Sequence, residues 1–345
     1  MNALLTAEVG LKAKELEDMV NVVSAGWMKD EVILSEDEMV ELIKSKDFDI
    51  LITSYDPITK KVIDSAPHLK LIVCTRANPV NIDLEYAAEK GIKVSYAPGR
   101  NSTCTAEYTV ALMLSITRKI PMAYSALKQG MHTNDTKMET ETTEGLRRDV
   151  TWALGADTPY VLYKGYQLSG KVLGVVGYGS IGKRVANLCR AFGMVIMAYD
   201  PYLKGEDLDD VILTDTLEEL SEKADIMTIH CKDVPENYHL INKNILEHMK
   251  ESAYLINTSR GVLVDEAALI EALRNNIIAG AAVDVFDIEP IATDHPFITE
   301  LDNVVITPHL AGATYDAIDN HTSQMLADVR HFINGEPLEY QYVIQ

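Results

Sequence analysis

At 345 residues and 47% hydrophobic content, the chain exceeds the roughly 250 to 300 residues at which a single core stops growing, so two domains are expected. A formal charge of −21 disfavours nucleic acid and anionic lipid as partners, and leaves any anion site dependent on local arginines or helix N-termini. No apolar run approaches the roughly 20 residues of a membrane span, the start is too acidic for a signal peptide, and Cys74, Cys104, Cys189 and Cys231 form no C-x-x-C pair; a cytoplasmic protein with no metal site and no disulfide framework is expected.

Up to about residue 100, β-prone runs alternate with helical stretches. "FDILIT" precedes a helix around Pro57 to Ser65, "LKLIVCT" precedes "NIDLEYAAEKG", and "IKVSY" follows, which implies a parallel sheet covered by helices. Pro98 and Gly99 break the alternation, and Asn101 to Thr103 offers caps for "TAEYTVALMLSITRKI", whose apolar residues on more than one face predict a buried helix. Cys104 at its start reads as a packed thiol. Residues 131 to 165, rich in Thr and charge, have no steady period; they read either as a surface excursion or as an arm packed on a second subunit with Trp152 and Tyr160 as anchors.

A second alternation opens at Lys171 with six runs, "VLGVVG", "MVIMAYD", "ADIMTIHC", "SAYLINTS", "IIAGAAVDVF" and "NVVITPH", the pattern of a six-stranded dinucleotide-type domain. Gly177, Gly179 and Gly182 stand in G-x-G-x-x-G spacing between a strand and a helix. There the first permits a tight turn, the second lets backbone approach a pyrophosphate, and the third allows close helix-to-strand packing. Ser180 and Ile181 would offer the phosphates their backbone N–H groups. Asp200 ends the second strand, where a carboxylate accepts ribose hydroxyls and repels a 2′-phosphate, so NAD is expected over NADP; a plain Asp-Pro turn is the other reading. "DAIDNHTSQMLADVRHFING" closes the chain as an amphipathic helix stopped at Gly335.

Polar residues stand just past the later strands: Arg260 in "INTSRG", Asp284 and Glu289 in "VDVFDIEP", and His309 in "TPHLAG". Singly, each has a plain reading as a turn residue, loop carboxylate or partly buried ring; at one sheet rim they form a cation, two carboxylates and an imidazole beside a nicotinamide. The remaining histidines, His68, His132, His239, His248, His295, His321 and His331, read as structural or surface, apart from His230.

With "GYGSIG", "NTSRGVLVDEAALIEAL", "AGAAVDVFDIEP" and "NVVITPHLAGAT", the sequence resembles the D-isomer-specific 2-hydroxyacid dehydrogenases, which include D-lactate, D-glycerate and D-3-phosphoglycerate dehydrogenases and glyoxylate reductase. The resemblance implies a Rossmann-type doubly wound domain at 102 to 311 carrying the long arm, and a smaller flavodoxin-like α/β substrate domain from 1 to 101 and 312 to 345. Hinges near 99 to 103 and 307 to 312 would let the cleft close. It implies that Arg260 grips the substrate carboxylate and oxo group, that His309 is the acid/base, and that Glu289 fixes its tautomer and favours the imidazolium. Asp284 would orient the nicotinamide carboxamide, with Thr105, His230, Thr258 and Gly312 in the same cofactor pocket. A homodimer is implied, with the helix after Asn101 and the arm at its interface.

One stretch departs from the family. Where an R-x-G-x-G arrangement is usual, "TRANPVNID" has Ala77 and Pro79, and proline has no N–H to offer a carboxylate. Ala77 still occupies the substrate loop, while Arg76 and Asn78 either reach a distal anionic group of a larger acid or cap the next helix. Two alternatives to a 2-hydroxyacid enzyme stand: an NAD-sensing corepressor-like scaffold, or a relative acting on formate or phosphite. Formate dehydrogenases of this fold carry glutamine where Glu289 stands.

Overall fold

The computed structural model describes residues 1–133, 156–203, 208 and 210–344. Two compact units emerge, Met1–Asn101 with Ala313–Gln345, and Ser102–Gly312, so Gly312 falls with the second unit. Both are α/β, with every strand pair parallel.

The first unit holds β1 (Asn2–Leu5), β2 (Asn21–Ser24), β3 (Ile50–Thr53), β4 (Leu71–Cys74) and β5 (Lys93–Ser95) in the order β2-β1-β3-β4-β5, the flavodoxin-like arrangement. Side chains alternate across the sheet, so Leu51 and Ile72 join Met39 and Val62 on one face, while Ile50, Ile52, Leu71 and Val73 meet Met325 and Val329 on the other. Full burial of each such side chain contributes about 1.5–3 kcal/mol. Met325 and Val329 belong to the closing helix Tyr315–Asn334, started by Thr314, whose side chain accepts from Ala317 N. Gly335 ends it at φ +73, a left-handed conformation suited to a residue without Cβ.

The second unit holds β6 (Val172–Val176), β7 (Val195–Tyr199), β8 (Ile212–Leu213), β9 (Ile226–Ile229), β10 (Tyr254–Asn257), β11 (Gly280–Val283) and β12 (Val304–Ile306) in the order β12-β11-β10-β9-β6-β7-β8. The sequence pointed to six strands; the sheet has a seventh, β8, whose two residues pair with Met197 and Ala198 and are too few to leave a period. The chain runs outward from β6 through β8, then returns to lay β9 on the other side of β6. A doubly wound sheet opens a crevice at this reversal, beyond the carboxyl ends of the strands.

The helix Ser102–Thr117 is buried at positions around its circumference and packs against the helix Ser180–Ala191 and against β10, β11 and β12. Its apolar side chains are largely covered within its own unit, and Thr103, Glu107 and Ala111 are among its exposed positions. Of the arm residues, Trp152 lies outside the described residues, while Tyr160 is exposed in the short helix Pro159–Leu162. Among the described residues, no helix is long and apolar enough to cross a membrane and no group of three potential ligands could hold a metal.

Candidate active site

At the reversal point the chain leaves β6 through Gly177, with φ +87. A Cβ there would lie 2.9 Å from Cys231 N and from His230 C and O, so only glycine lets this turn close on the end of β9. Gly182 sits where a side chain would strike the Gly177 carbonyl. Gly179, the cap of the helix Ser180–Ala191, faces open space at its Cβ direction, leaving the first-turn N–H groups of Ser180 and Ile181 approachable. Ser180 Oγ donates to Ser102 Oγ (3.2 Å) and accepts from Arg184 Nη1 (3.0 Å), joining the starts of two helices. Asp200 is half-buried at the end of β7, accepting from Tyr178 N at 2.9 Å and Tyr202 N at 3.0 Å, so its carboxylate is aimed before any ligand arrives.

Two groups that follow β9 stay uncharged. His230, beside Thr228 Oγ1 at 3.0 Å, is pushed down by burial to about 3 and stays neutral, and burial pushes the Cys231 thiol up to about 11. Thr258 shares a hydroxyl hydrogen bond with Thr109 at 2.8 Å. Thr105, one helical turn before Thr109, has a buried hydroxyl with no hydrogen-bond partner among the described residues. A glycine cradle that side chains would fill, open helix amides, an aimed carboxylate and an orphaned hydroxyl fit a bound dinucleotide.

Along the same edge, Asn257, Val283 and Ile306 are in register at the ends of β10, β11 and β12. Arg260, Asp284 and His309 therefore leave adjacent strands. Asn257 shapes the first turn: its side chain donates to Arg260 O (2.9 Å) and accepts from Ser259 N (3.0 Å). Gly261 packs so closely on the next loop that a Cβ would overlap the backbone of Phe286 and Asp287. In that loop Phe286 N donates to Glu289 Oε1 (3.1 Å), and Glu289 Oε2 faces His309 Nδ1 at 2.7 Å. The contact path thus runs without a gap from the Arg260 turn through Glu289 to the imidazole.

Asp284 does something the sequence did not suggest. It is fully buried, and its Oδ1 accepts from Thr307 Oγ1 (2.5 Å) and Leu310 N (2.8 Å), while Oδ2 accepts from Ala311 N (2.8 Å). Its carbonyl accepts from His309 N at 2.8 Å. This one residue therefore clamps the turn in which His309 adopts φ +57, a left-handed conformation uncommon outside glycine, asparagine, aspartate and histidine. Gly312, half-buried, follows the clamp directly. The "VDVF" run marked Asp284 as a strand-end carboxylate, but nothing local showed its three donors.

In the first unit, Arg76 follows β4 and its guanidinium lies over the Tyr55 ring, 4.7 Å from the centroid. Ala77 and Asn78 are exposed. The helix Leu84–Glu89 is capped by Asp83, which accepts from Tyr86 N at 3.0 Å, so neither Arg76 nor Asn78 serves as its cap.

Residues 110–311 match the family described as D-isomer specific 2-hydroxyacid dehydrogenase, NAD binding domain. The chain is 37% identical over 308 residues to a D-3-phosphoglycerate dehydrogenase of Methanocaldococcus jannaschii, covering 89% of this chain and 53% of that one. It is 39% identical over 308 residues to a glyoxylate reductase of Thermofilum pendens, covering 88% and 82%. It thus spans about half the length of the first relative and most of the second. Among solved structures it resembles the TT0316 protein of Thermus thermophilus (TM-score 0.79, 30% identity, 99% and 100% of the two chains) and a glyoxylate reductase from Paecilomyes thermophila (0.74, 25%, 99% and 98%). The paired sheets, the glycine crevice and these likenesses agree: the chain belongs to the D-isomer specific 2-hydroxyacid dehydrogenase family.

Proposed function

We propose that the protein is an NAD-dependent oxidoreductase that interconverts a D-2-hydroxy acid and a 2-oxo acid, with His309 as acid/base, Glu289 as its partner and Arg260 as the grip on substrate. The observation that carries this reading is the Glu289 Oε2 to His309 Nδ1 contact of 2.7 Å, built on the loop against which the Arg260 turn packs. With Nδ1 committed to a carboxylate, the proton of the neutral ring belongs on Nδ1, and Nε2 is the atom that loads or releases the catalytic proton. Protonated at Nε2, His309 hands that proton to the oxo oxygen of the substrate in reduction and recovers it from the hydroxyl in oxidation. Glu289 stabilises the cationic ring without taking the proton itself.

Arg260 supplies a permanently charged planar fork that matches a carboxylate. Gly177, Gly179, Ser180, Ile181, Gly182 and Asp200 would hold the dinucleotide, with Thr105, His230, Thr258, Asp284 and Gly312 toward its nicotinamide end. A nicotinamide held there would supply the hydride chemistry. The carboxylate of Asp200 favours an unphosphorylated ribose, hence NAD over NADP. The reading gives the first unit to substrate and the second to cofactor. Within the first, Arg76 and Asn78, with Ala77 between them, recognise the distal end of the acid; a guanidinium there suits an anionic group. The protein works in the cytoplasm as a homodimer, a reading supported by exposed apolar side chains at Ile120, Tyr124 and Leu127 of the helix Ile120–Lys128, which flanks the arm.

The test is a spectrophotometric panel: glyoxylate, pyruvate and hydroxypyruvate with NADH, and D-3-phosphoglycerate with NAD. Turnover of at least one acid is expected, lost in His309→Gln by about 10²-fold or more while NADH affinity is kept, as expected for loss of general acid–base catalysis. Tight NADH binding without turnover of any acid would favour a cofactor-sensing scaffold, and undiminished turnover in His309→Gln would remove the assignment.

A further inference from the structure

Beneath the exposed stretch Asp287–Pro290, which carries Glu289, lies a second histidine–carboxylate pair. His295 Nε2 is 3.0 Å from Glu266 Oε1, and Phe297 N donates to His295 Nδ1 at 3.2 Å. Because Nδ1 accepts a backbone N–H, the ring proton is on Nε2, which donates to Glu266. The other carboxylate oxygen, Glu266 Oε2, accepts from Asp287 N at 3.4 Å. A ring contact runs in parallel, with Phe286 and Phe297 centroids 6.5 Å apart and the His295 ring 4.7 Å from that of Phe297.

The lower pair is the more enclosed. Side-chain exposure is 15% for His295 and 21% for Glu266, against 46% for His309 and 36% for Glu289. An exposed ion pair is weakly held because water and salt screen it, so the geometry of Glu289 against His309 must be imposed by the loop rather than by their attraction. The loop has reason to leave. Asp287, exposed as a residue but with its acid group partly desolvated, sits among Glu266 and Asp265; that desolvation first, then these two carboxylates, push its carboxyl above the usual range, with His239 opposing them. The bond from Asp287 N to Glu266, together with the close packing of Gly261 on this backbone, holds that residue beside its like charges.

We propose that Glu266 and His295 are positioning residues for the acid/base pair: His295 orients the Glu266 carboxylate, Glu266 pins the backbone of Asp287, and Glu289, two residues on, is thereby kept facing His309. The inference rests on His309 and Glu289 being the acid/base pair. Neither Glu266 nor His295 touches substrate in this scheme, and their loss slows proton transfer without loosening the cofactor.

Four variants of the full chain test it, with NADH and the fastest 2-oxo acid of the panel above. Glu289→Gln is the benchmark. Glu266→Ala removes both of its contacts and Glu266→Gln leaves one, since an amide cannot accept at both positions. His295→Asn keeps a side-chain oxygen to cap Phe297 N but cannot reach Glu266. The expected order of kcat is parent, then Glu266→Gln and His295→Asn at about three- to tenfold loss, then Glu266→Ala at about ten- to thirtyfold loss, all with KM for NADH within twofold of parent. The solvent deuterium isotope effect on kcat should rise as proton donation becomes limiting.

Parent-like kcat and isotope effect in His295→Asn and both Glu266 variants, while Glu289→Gln is crippled, overturns the positioning role and spares the catalytic one. So does a fall in kcat matched by an equal rise in KM for NADH, which marks general damage. Unimpaired Glu289→Gln overturns the catalytic assignment itself. Should Glu266→Ala fail to fold, Glu266→Gln and His295→Asn decide the matter through the same two readouts.

Discussion

Replacing Asp284 with asparagine perturbs the clamp on the His309 turn by one atom. Three donors converge on the carboxylate, two on Oδ1 and one on Oδ2, at 2.5 to 2.8 Å in a site with no exposed surface. Asparagine keeps most if its oxygen takes the Oδ1 place, meeting Thr307 Oγ1 and Leu310 N, but its NH2 then faces Ala311 N donor to donor. An orphaned buried N–H costs about 1–3 kcal/mol, and the two retained bonds lose their charge assistance, while relief of a buried charge returns part of the sum. The net expectation is about 2–4 kcal/mol, which in a unit of this size lowers Tm by about 5–15 °C at some 2–4 °C per kcal/mol. Thermal unfolding monitored by calorimetry reads it directly. Asp265→Asn is the control, because Asp265 is a helix cap accepting from Ala268 N and asparagine caps about as well. Asp284→Asn melting within about 2 °C of parent would mean that the turn does not depend on this carboxylate, and the clamp argument would fail.

Gly261→Ala places a methyl group inside the backbone of Phe286 and Asp287, atoms that cannot yield as a flexible side chain would. A stability loss of about 2–4 kcal/mol is expected from such overpacking, together with at least a tenfold fall in kcat/KM as the Arg260 turn parts from the Glu289 loop; parent-like urea midpoint and turnover would contradict it. A pH effect is expected in the first unit. His321 is buried, with Nε2 donating to Glu8 O at 2.8 Å and Nδ1 facing Arg100 Nη1 at 3.2 Å, and burial pushes it down to about 4. Between pH 6.5 and 4 the unfolded chain therefore binds a proton that the folded one refuses, so stability falls as pH falls through that window, by about 3 kcal/mol in full. Urea midpoints at pH 7 and pH 4.5 should differ less in His321→Gln than in the parent; an unchanged difference would assign the acid sensitivity elsewhere.

What the sequence made legible, and what it hid, divides along a physical line. The six longer strands of the second unit could be read because a strand covered on both faces must be apolar throughout, whereas β8 has only two residues and no period. The three glycines of the crevice could be read because each answers a steric demand within one strand-turn-helix unit. Arg260, Glu289 and His309 could be read as polar letters just past apolar runs. Three features could not: the absent Cβ of Gly261, the donors on Asp284, and the contacts of Glu266. Each depends on a segment 20 or more residues away, brought near only by the sheet. Glu266 shows why such features escape notice. In "VDEAALIEAL" an acidic residue in the first helical turn is fully accounted for by the helix dipole, and nothing in the letters asks for a second role. Yet the geometry that suits the dipole also leaves both carboxylate oxygens free to take the His295 ring and the Asp287 backbone. A sufficient local reason therefore conceals a distant one, and polar residues at helix starts beside a strand-end loop are where sequence patterns leave positioning contacts unmarked.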